Sequence, residues 1–208
     1  MPAFDRALLA DHAVEVAPLL LGAVLTHTTA EGAVAVRLTE VEAYSGLGED
    51  PGSHAHRGRT ARNDVMFGDA GRLYTYFTYG MHTCANVVTG APGIAGGVLL
   101  RGGEIVSGVE LARTRRTTAR KDVDLARGPA RLASALGITL ADGGADLLGE
   151  GAFSLRPGEP LPGGRIATGP RVGVAGPGGD ATAFPWRFWI ADDPTVSQYR
   201  PAVRRRRD

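Results

Sequence analysis

The chain is nearly without lysine. Of its 23 basic residues, all but Lys121 are arginine. Chemistry that needs a primary-amine side chain therefore has one residue to draw on. Cysteine is equally scarce. The single Cys84 excludes an internal disulfide and any multi-cysteine metal site. On a strand it reads as a small buried hydrophobe. Long apolar runs are missing too. The stretch from Val16 to Leu25 contains Pro18 and Gly22 and is too short to span a bilayer. No signal-peptide pattern opens the chain, so a soluble cytoplasmic protein is expected. Charge of one sign is absent in bulk: the net charge is +1, which does not announce nucleic acid. Thirty glycines and 13 prolines follow no period, which excludes collagen and repeat arrays.

What is present suits a globular fold. At 208 residues, with 43% hydrophobic and 22% charged, the chain has enough material for one substantial core. The expected organisation is a single domain over residues 1–200 and a disordered basic tail over 201–208. The arginines gather at Arg57, Arg59 and Arg62, at Arg113, Arg115, Arg116 and Arg120, and at Arg204 to Arg207. Arginine pairs bidentately with phosphate and stacks on planar groups. A GC-rich coding sequence favours the same residue, and a charge run is usually a solvated face. Among the histidines only His54-x-His56 has ligand-like spacing, and it lacks further ligands, so no metal is expected.

The pattern along the chain predicts helices at Phe4 to Leu9 and Ala17 to Leu25. Ala33 to Tyr44 then alternates as a strand. Its period puts Val34, Val36, Leu38, Glu40, Glu42 and Tyr44 on one face, so an apolar face ends in two carboxylates and a phenol. A buried carboxylate is costly unless it is paired or given a task. Residues 45–67 form a long polar connection with two histidines and three arginines, and loops of that length are often functional. Leu73 to Val88 reads as a β-hairpin turning at Thr78 to Met81, where Gly80 accepts a positive φ. Three of the five tyrosines fall within it, close together, and each buried hydroxyl needs a partner. Further helices are expected at Val109 to Arg120 and Gly128 to Leu136, with a strand at Gly97 to Arg101 and late strands at Ile166 to Val174 and Trp186 to Ile190.

These parts suit an enzyme acting on a nucleobase taken out of the helical stack. A carboxylate can activate water, aromatics can sandwich a ring, and arginines can hold phosphates. The motifs go further. Thr39-Glu-Val-Glu-Ala-Tyr44, Asp50-Pro-x-Ser-His54, Gly58-x-Thr-x-Arg-Asn63, Leu73-Tyr-x-Tyr-x-x-Tyr-Gly80, Cys84-x-Asn-Val-Val88, Val98-Leu-Leu-Arg101 and Pro170-Arg-Val-Gly-Val174 occur in order across almost the whole chain. In them the sequence resembles the alkyladenine (3-methyladenine) DNA glycosylase family. One departure is Ala130, where a glycine usually follows Gly128-Pro129.

The resemblance implies a mixed α+β fold: a curved, largely antiparallel sheet with flanking helices, and a protruding hairpin that enters the DNA minor groove. It implies that Glu42 is the general base for a water attacking C1′, and that Arg101 helps hold that water. Tyr44, His54 and Tyr76 would contact the flipped base, and Asn86 would obstruct normal guanine. Tyr79 would fill the gap in the duplex, with Gly80, Met81 and His82 around it at the minor groove. The implied partner is double-stranded DNA containing damaged purines, met by a monomer at the bacterial nucleoid, without cofactor. Strand cleavage through a Schiff base needs an amine. Lys121 lies in a solvated basic run, and an amino-terminal Pro2 would normally accompany a four-cysteine zinc finger. A monofunctional enzyme is therefore expected. Two other readings stay open at this stage. One is a non-catalytic nucleic-acid-binding module of the same fold. The other is a hydrolase of small glycosides or free nucleosides using Glu40 and Glu42, whose positions lie about 7 Å apart along the strand.

Overall fold

The computed structural model describes residues 4–78, 80–159, 161 and 165–202. Among the described residues eight strands form one curled antiparallel sheet, accompanied by four α-helices. The strands are β1 (Val24–Thr29), β2 (Gly32–Tyr44), β3 (Leu73–Thr78), β4 (His82–Val88), β5 (Gly97–Ser107), β6 (Phe153–Arg156), β7 (Ile166–Gly169) and β8 (Arg187–Ile190). They lie in the order β3-β4-β5-β2-β1-β6, with β7 and β8 branching from β2. The helices are α1 (Arg6–Leu9), α2 (Ala13–Leu19), α3 (Val109–Arg115) and α4 (Pro129–Leu136).

The long β2 organises the sheet. One of its edges pairs with β5 along its length. The other pairs with β1 over Gly32 to Arg37 and with β8 over Glu40 to Glu42. The register breaks where the partner changes. Leu38 lies opposite Gly103 and Glu40 opposite Gly102, so Thr39 is an extra residue on β2. Val41 then pairs with Leu100, which makes Arg101 an extra residue on β5. Bulges of this kind re-aim side chains beside active sites.

This corrects the face expected from simple alternation. Val34, Val36 and Leu38 enter the main core, but so do Val41 and Ala43. The irregularity at Thr39 exchanges the two faces, so Glu40 and Glu42 do not share the apolar side of the strand. The conflict of carboxylates on a core face is thereby removed.

Two other expectations are revised. The second helix begins at Ala13, not Ala17, because the His12 ring caps it by accepting from Val14 N. It ends at Leu19, and Gly22, at φ 81°, turns the chain into β1. The apolar run Val16 to Leu25 therefore serves a helix and a strand in succession. The third helix also stops early, at Arg115. The last one matches its signals. Pro129 occupies its first turn, Gly137 ends it at φ 71°, and Leu132, Ala133, Ala135 and Leu136 are buried. Half-buried Ala130 fits that first turn without disturbing it.

Gly103 lies against β2 so closely that a Cβ would sit 2.5 Å from the Arg37 carbonyl oxygen and 2.5 Å from Val36 Cγ2. Gly103→Ala is expected to lose about 1–3 kcal/mol by overpacking. Urea unfolding should show a lower midpoint with an unchanged slope. A wild-type midpoint would contradict the close approach of the two strands.

Candidate active site

Tyr44, His54, Tyr76 and Asn86 come together around a small, half-open hollow, with Gly52, Met66 and Tyr74 completing its wall. Tyr44, His54 and Tyr76 also border an open cleft of about 1800 Å³, and Glu42, Arg101, Cys84 and Val172 lie along that cleft. The arrangement is an aromatic cup opening into a trough with a carboxylate in its wall.

Strand period builds the cup. Tyr74 and Tyr76 point from β3 to one side, and Cys84 and Asn86 follow from β4. On the reverse face, Leu73, Ala85 and Val87 join the core. The ring of His54 meets Tyr76 edge-on, with centroids 4.6 Å apart at 87°. Its Nδ1 lies 3.0 Å from the Tyr74 hydroxyl. Asn86 is buried and donates from Nδ2 to the Tyr74 carbonyl at 3.1 Å. The His54 carbonyl accepts from Asn63 Nδ2 at 3.0 Å, which ties the long loop to its own base.

The groups lining the cup are held uncharged. Burial raises the Tyr44 phenol well above its ordinary value, and the Glu42 carboxylate adds to this. Burial likewise raises Tyr76. It lowers His54 below the usual imidazole range, assisted by the charge of Arg62. Burial also raises the Cys84 thiol, which keeps it protonated and unreactive.

Glu42 is fully buried. Its Oε1 accepts from Val172 N at 2.7 Å and its Oε2 from the Tyr44 hydroxyl at 2.9 Å. Arg101 Nε lies 3.4 Å from Oε1. An ionised carboxylate offers about four acceptor positions. Acceptor capacity is therefore left over on this carboxylate. Burial opposes the charge on Arg101, but Glu42 and Glu40 outweigh it and raise the guanidinium further.

A second buried pair, absent from the expected site, supports this one. Arg171 and Asp50 have fully buried side chains and join bidentately at 2.6 and 2.7 Å. Arg171 also donates to the carbonyls of Ala43 and Gly178, and its guanidinium lies 4.5 Å from the Tyr44 ring centre. Asp50 further accepts from Ser45 N and Gly52 N. The pair thus fastens the loop carrying His54 to the segment carrying Val172. Its members stand in two quoted motifs, but nothing in their spacing joins Asp50 to Arg171 across 121 residues.

The remaining expected residues lie at the hairpin end. Gly80 is exposed with φ 68°, Met81 is 68% exposed, and exposed His82 opens β4 opposite Thr78. Tyr79, Pro2 and Arg204 to Arg207 lie outside the described residues. His56 is half-buried, and its carbonyl accepts from Gly48 N. Lys121 is exposed between α3 and α4. Among the described residues no helix is long and apolar enough to cross a membrane.

Comparison with known proteins adds a family. The family model described as Methylpurine-DNA glycosylase (MPG) matches residues 7–194. A protein of Streptomyces avermitilis is 55% identical over 204 residues, covering 97% of this chain and 94% of the relative. One from Leifsonia xyli is 59% identical over 192 residues, covering 90% and 88%. One from Mycobacterium tuberculosis is 46% identical over 201 residues, covering 94% of each. All three carry the provisional name 3-methyladenine DNA glycosylase.

Asp50→Asn removes the only carboxylate in ion-pair contact with the Arg171 guanidinium among the described residues. Leaving a buried charge unpaired costs roughly 3–5 kcal/mol. Denaturant unfolding of Asp50→Asn should report a loss of that size. A loss below about 1 kcal/mol, the range of exposed pairs, would show that the pair is not structural.

Proposed function

This chain belongs to the methylpurine-DNA glycosylase family, and we propose that it removes alkylated or deaminated purines from duplex DNA by hydrolysing the N-glycosidic bond. The observation that carries the reading is Glu42: a fully buried carboxylate on a cleft wall, next to an aromatic cup, with acceptor capacity left over. Its relatives' names point to 3-methyladenine. The substrates we propose are 3-methyladenine, 7-methylguanine, hypoxanthine and ethenoadenine.

In this reading the damaged nucleotide rotates out of the helix and its base enters the cup. Extrusion costs a few kcal/mol, and least at a damaged pair. Stacking returns roughly 1–3 kcal/mol for each aromatic partner, so Tyr44, Tyr76 and His54 together suffice. Because these rings are neutral, a cationic alkylpurine meets π-faces and no competing positive charge from His54. Buried Asn86 stands where the exocyclic amino group of a normal guanine would need room. Tyr79 occupies the vacancy in the duplex, with Gly80, Met81 and His82 along the minor groove.

Glu42 takes a proton from a water that attacks C1′ on the face opposite the departing purine. The same carboxylate stabilises the oxocarbenium-like sugar, as in other glycoside hydrolysis. Arg101 orients the water. The enzyme is monofunctional in this scheme: water is the nucleophile, and exposed Lys121 is the only lysine. It acts as a monomer on bacterial DNA without a cofactor.

Glu42→Gln keeps the shape of the side chain and removes the base. Release of 3-methyladenine from methylated duplex DNA should fall by at least about 10²-fold, the scale of general-base catalysis. Binding to the same duplex should persist. Turnover at the wild-type rate would assign the chemistry to another group.

A further inference from the structure

Glu40 stands two residues before Glu42 on β2 and is also fully buried. Four donors converge on it. Arg101 Nε lies at 2.9 Å, Arg187 Nε at 2.7 Å, Ser197 Oγ at 2.9 Å and Ser197 N at 2.7 Å. Burial opposes its ionisation, but Arg101, Arg187 and Ser197 prevail and hold the carboxyl below its ordinary value. Three of these donors fall on Oε1 and one on Oε2, and Glu40, unlike Glu42, does not line the cleft. The two glutamates are therefore not a catalytic pair.

The geometry of Arg101 gives Glu40 a different task. Arg101 is the extra residue of β5, and its side chain rises between the two carboxylates. Its Nε is 2.9 Å from Glu40 Oε1 and 3.4 Å from Glu42 Oε1. Its Nη2 donates to Ser197 Oγ, which itself bonds Glu40. The guanidinium is thus fastened on the Glu40 side. Glu42 feels its charge without giving up a lone pair to a close hydrogen bond.

We propose that Glu40 is a positioning residue for base excision: it holds Arg101 off Glu42 and so keeps a Glu42 lone pair open for the attacking water. The inference rests on the glycosylase reading of Glu42. Once Glu40 is neutral, Arg101 closes onto Glu42. A carboxylate in direct contact with a guanidinium is a weaker base and has one acceptor position fewer.

The test uses Glu40→Gln, Arg101→Met and the double variant of the full chain. Single-turnover release of 3-methyladenine from methylated duplex DNA is measured beside the Kd for that DNA. Glu40→Gln should slow release by at least about tenfold while Kd stays within about twofold of wild type. In the Arg101→Met background the same change should have no further effect, because no guanidinium is left to redirect. Independent, multiplying losses would overturn the proposal, as would an unchanged rate or a Kd that weakens in step with it. Should Glu40→Gln fail to fold, Ser197→Ala serves instead. It removes one donor to Glu40 and the acceptor of Arg101 Nη2 but leaves all four charges. It should slow release by about threefold or more at wild-type Kd, and an unchanged rate would overturn the proposal. Wild-type protein that releases no base would refute the glycosylase reading itself. Active wild type with a fully active Glu40→Gln would refute only the role given to Glu40.

Discussion

One guanidinium between two buried carboxylates is the constraint on which the site depends. Glu40, Glu42 and Arg101 are all buried, and none of the three is tolerable there alone. Their meeting requires β2 and β5 to slip out of register twice within a few residues, at Thr39 and at Arg101. The first slip takes the carboxylates off the core side of β2. The second lets an arginine rise between them. Arg187 from β8 and Ser197 from the segment that follows then complete the shell around Glu40. A regular sheet would have buried two unpaired acids against Val34 and Val36.

Around that centre the chain divides the work between rings and charges. The cup is lined by neutral phenols, an imidazole and an amide, each held by a neighbour: His54 by the Tyr74 hydroxyl, Asn86 by the Tyr74 carbonyl, Tyr44 by Glu42. Behind the Tyr44 ring the Arg171–Asp50 pair joins the long loop to the segment that supplies Val172 N–H to Glu42. The late segment lies far in sequence from both the loop and the hairpin. Preorganisation of groups that face substrate comes from such supporting contacts, since a side chain free to turn cannot hold a reacting atom in place.

Much of this was legible in the residues. The alternation of Leu73 to Val88 sorts Tyr74, Tyr76, Cys84 and Asn86 onto the side of the cup and cleft and Leu73, Ala85 and Val87 into the core, because a regular hairpin obeys period two. Pro129 and Gly137 bracket α4 through backbone preferences that act locally. The failures have equally specific causes. The face of Glu42 was misassigned because a bulge is a property of two strands, and only one of them is in view when a strand is read alone. Val24 and Leu25, the start of β1, were merged into a helix because one apolar run crosses the Gly22 turn. The pairing of Asp50 with Arg171 left no trace, since an ion pair across so long a separation has no period. His12 as a helix cap was missed because the cap lies on a ring nitrogen and not on the usual Ser, Thr, Asp or Asn.

The central claim is a position in space: a purine outside the helix, in the cup, with its sugar turned to Glu42. A crystal structure of the protein on a duplex whose damaged purine nucleotide carries a hydrolysis-resistant 2′-fluoro sugar tests it most directly. The account predicts the base lodged among Tyr44, His54 and Tyr76, with C1′ facing the Glu42 carboxylate across a single water. A purine still stacked within the duplex over an empty cup would contradict it.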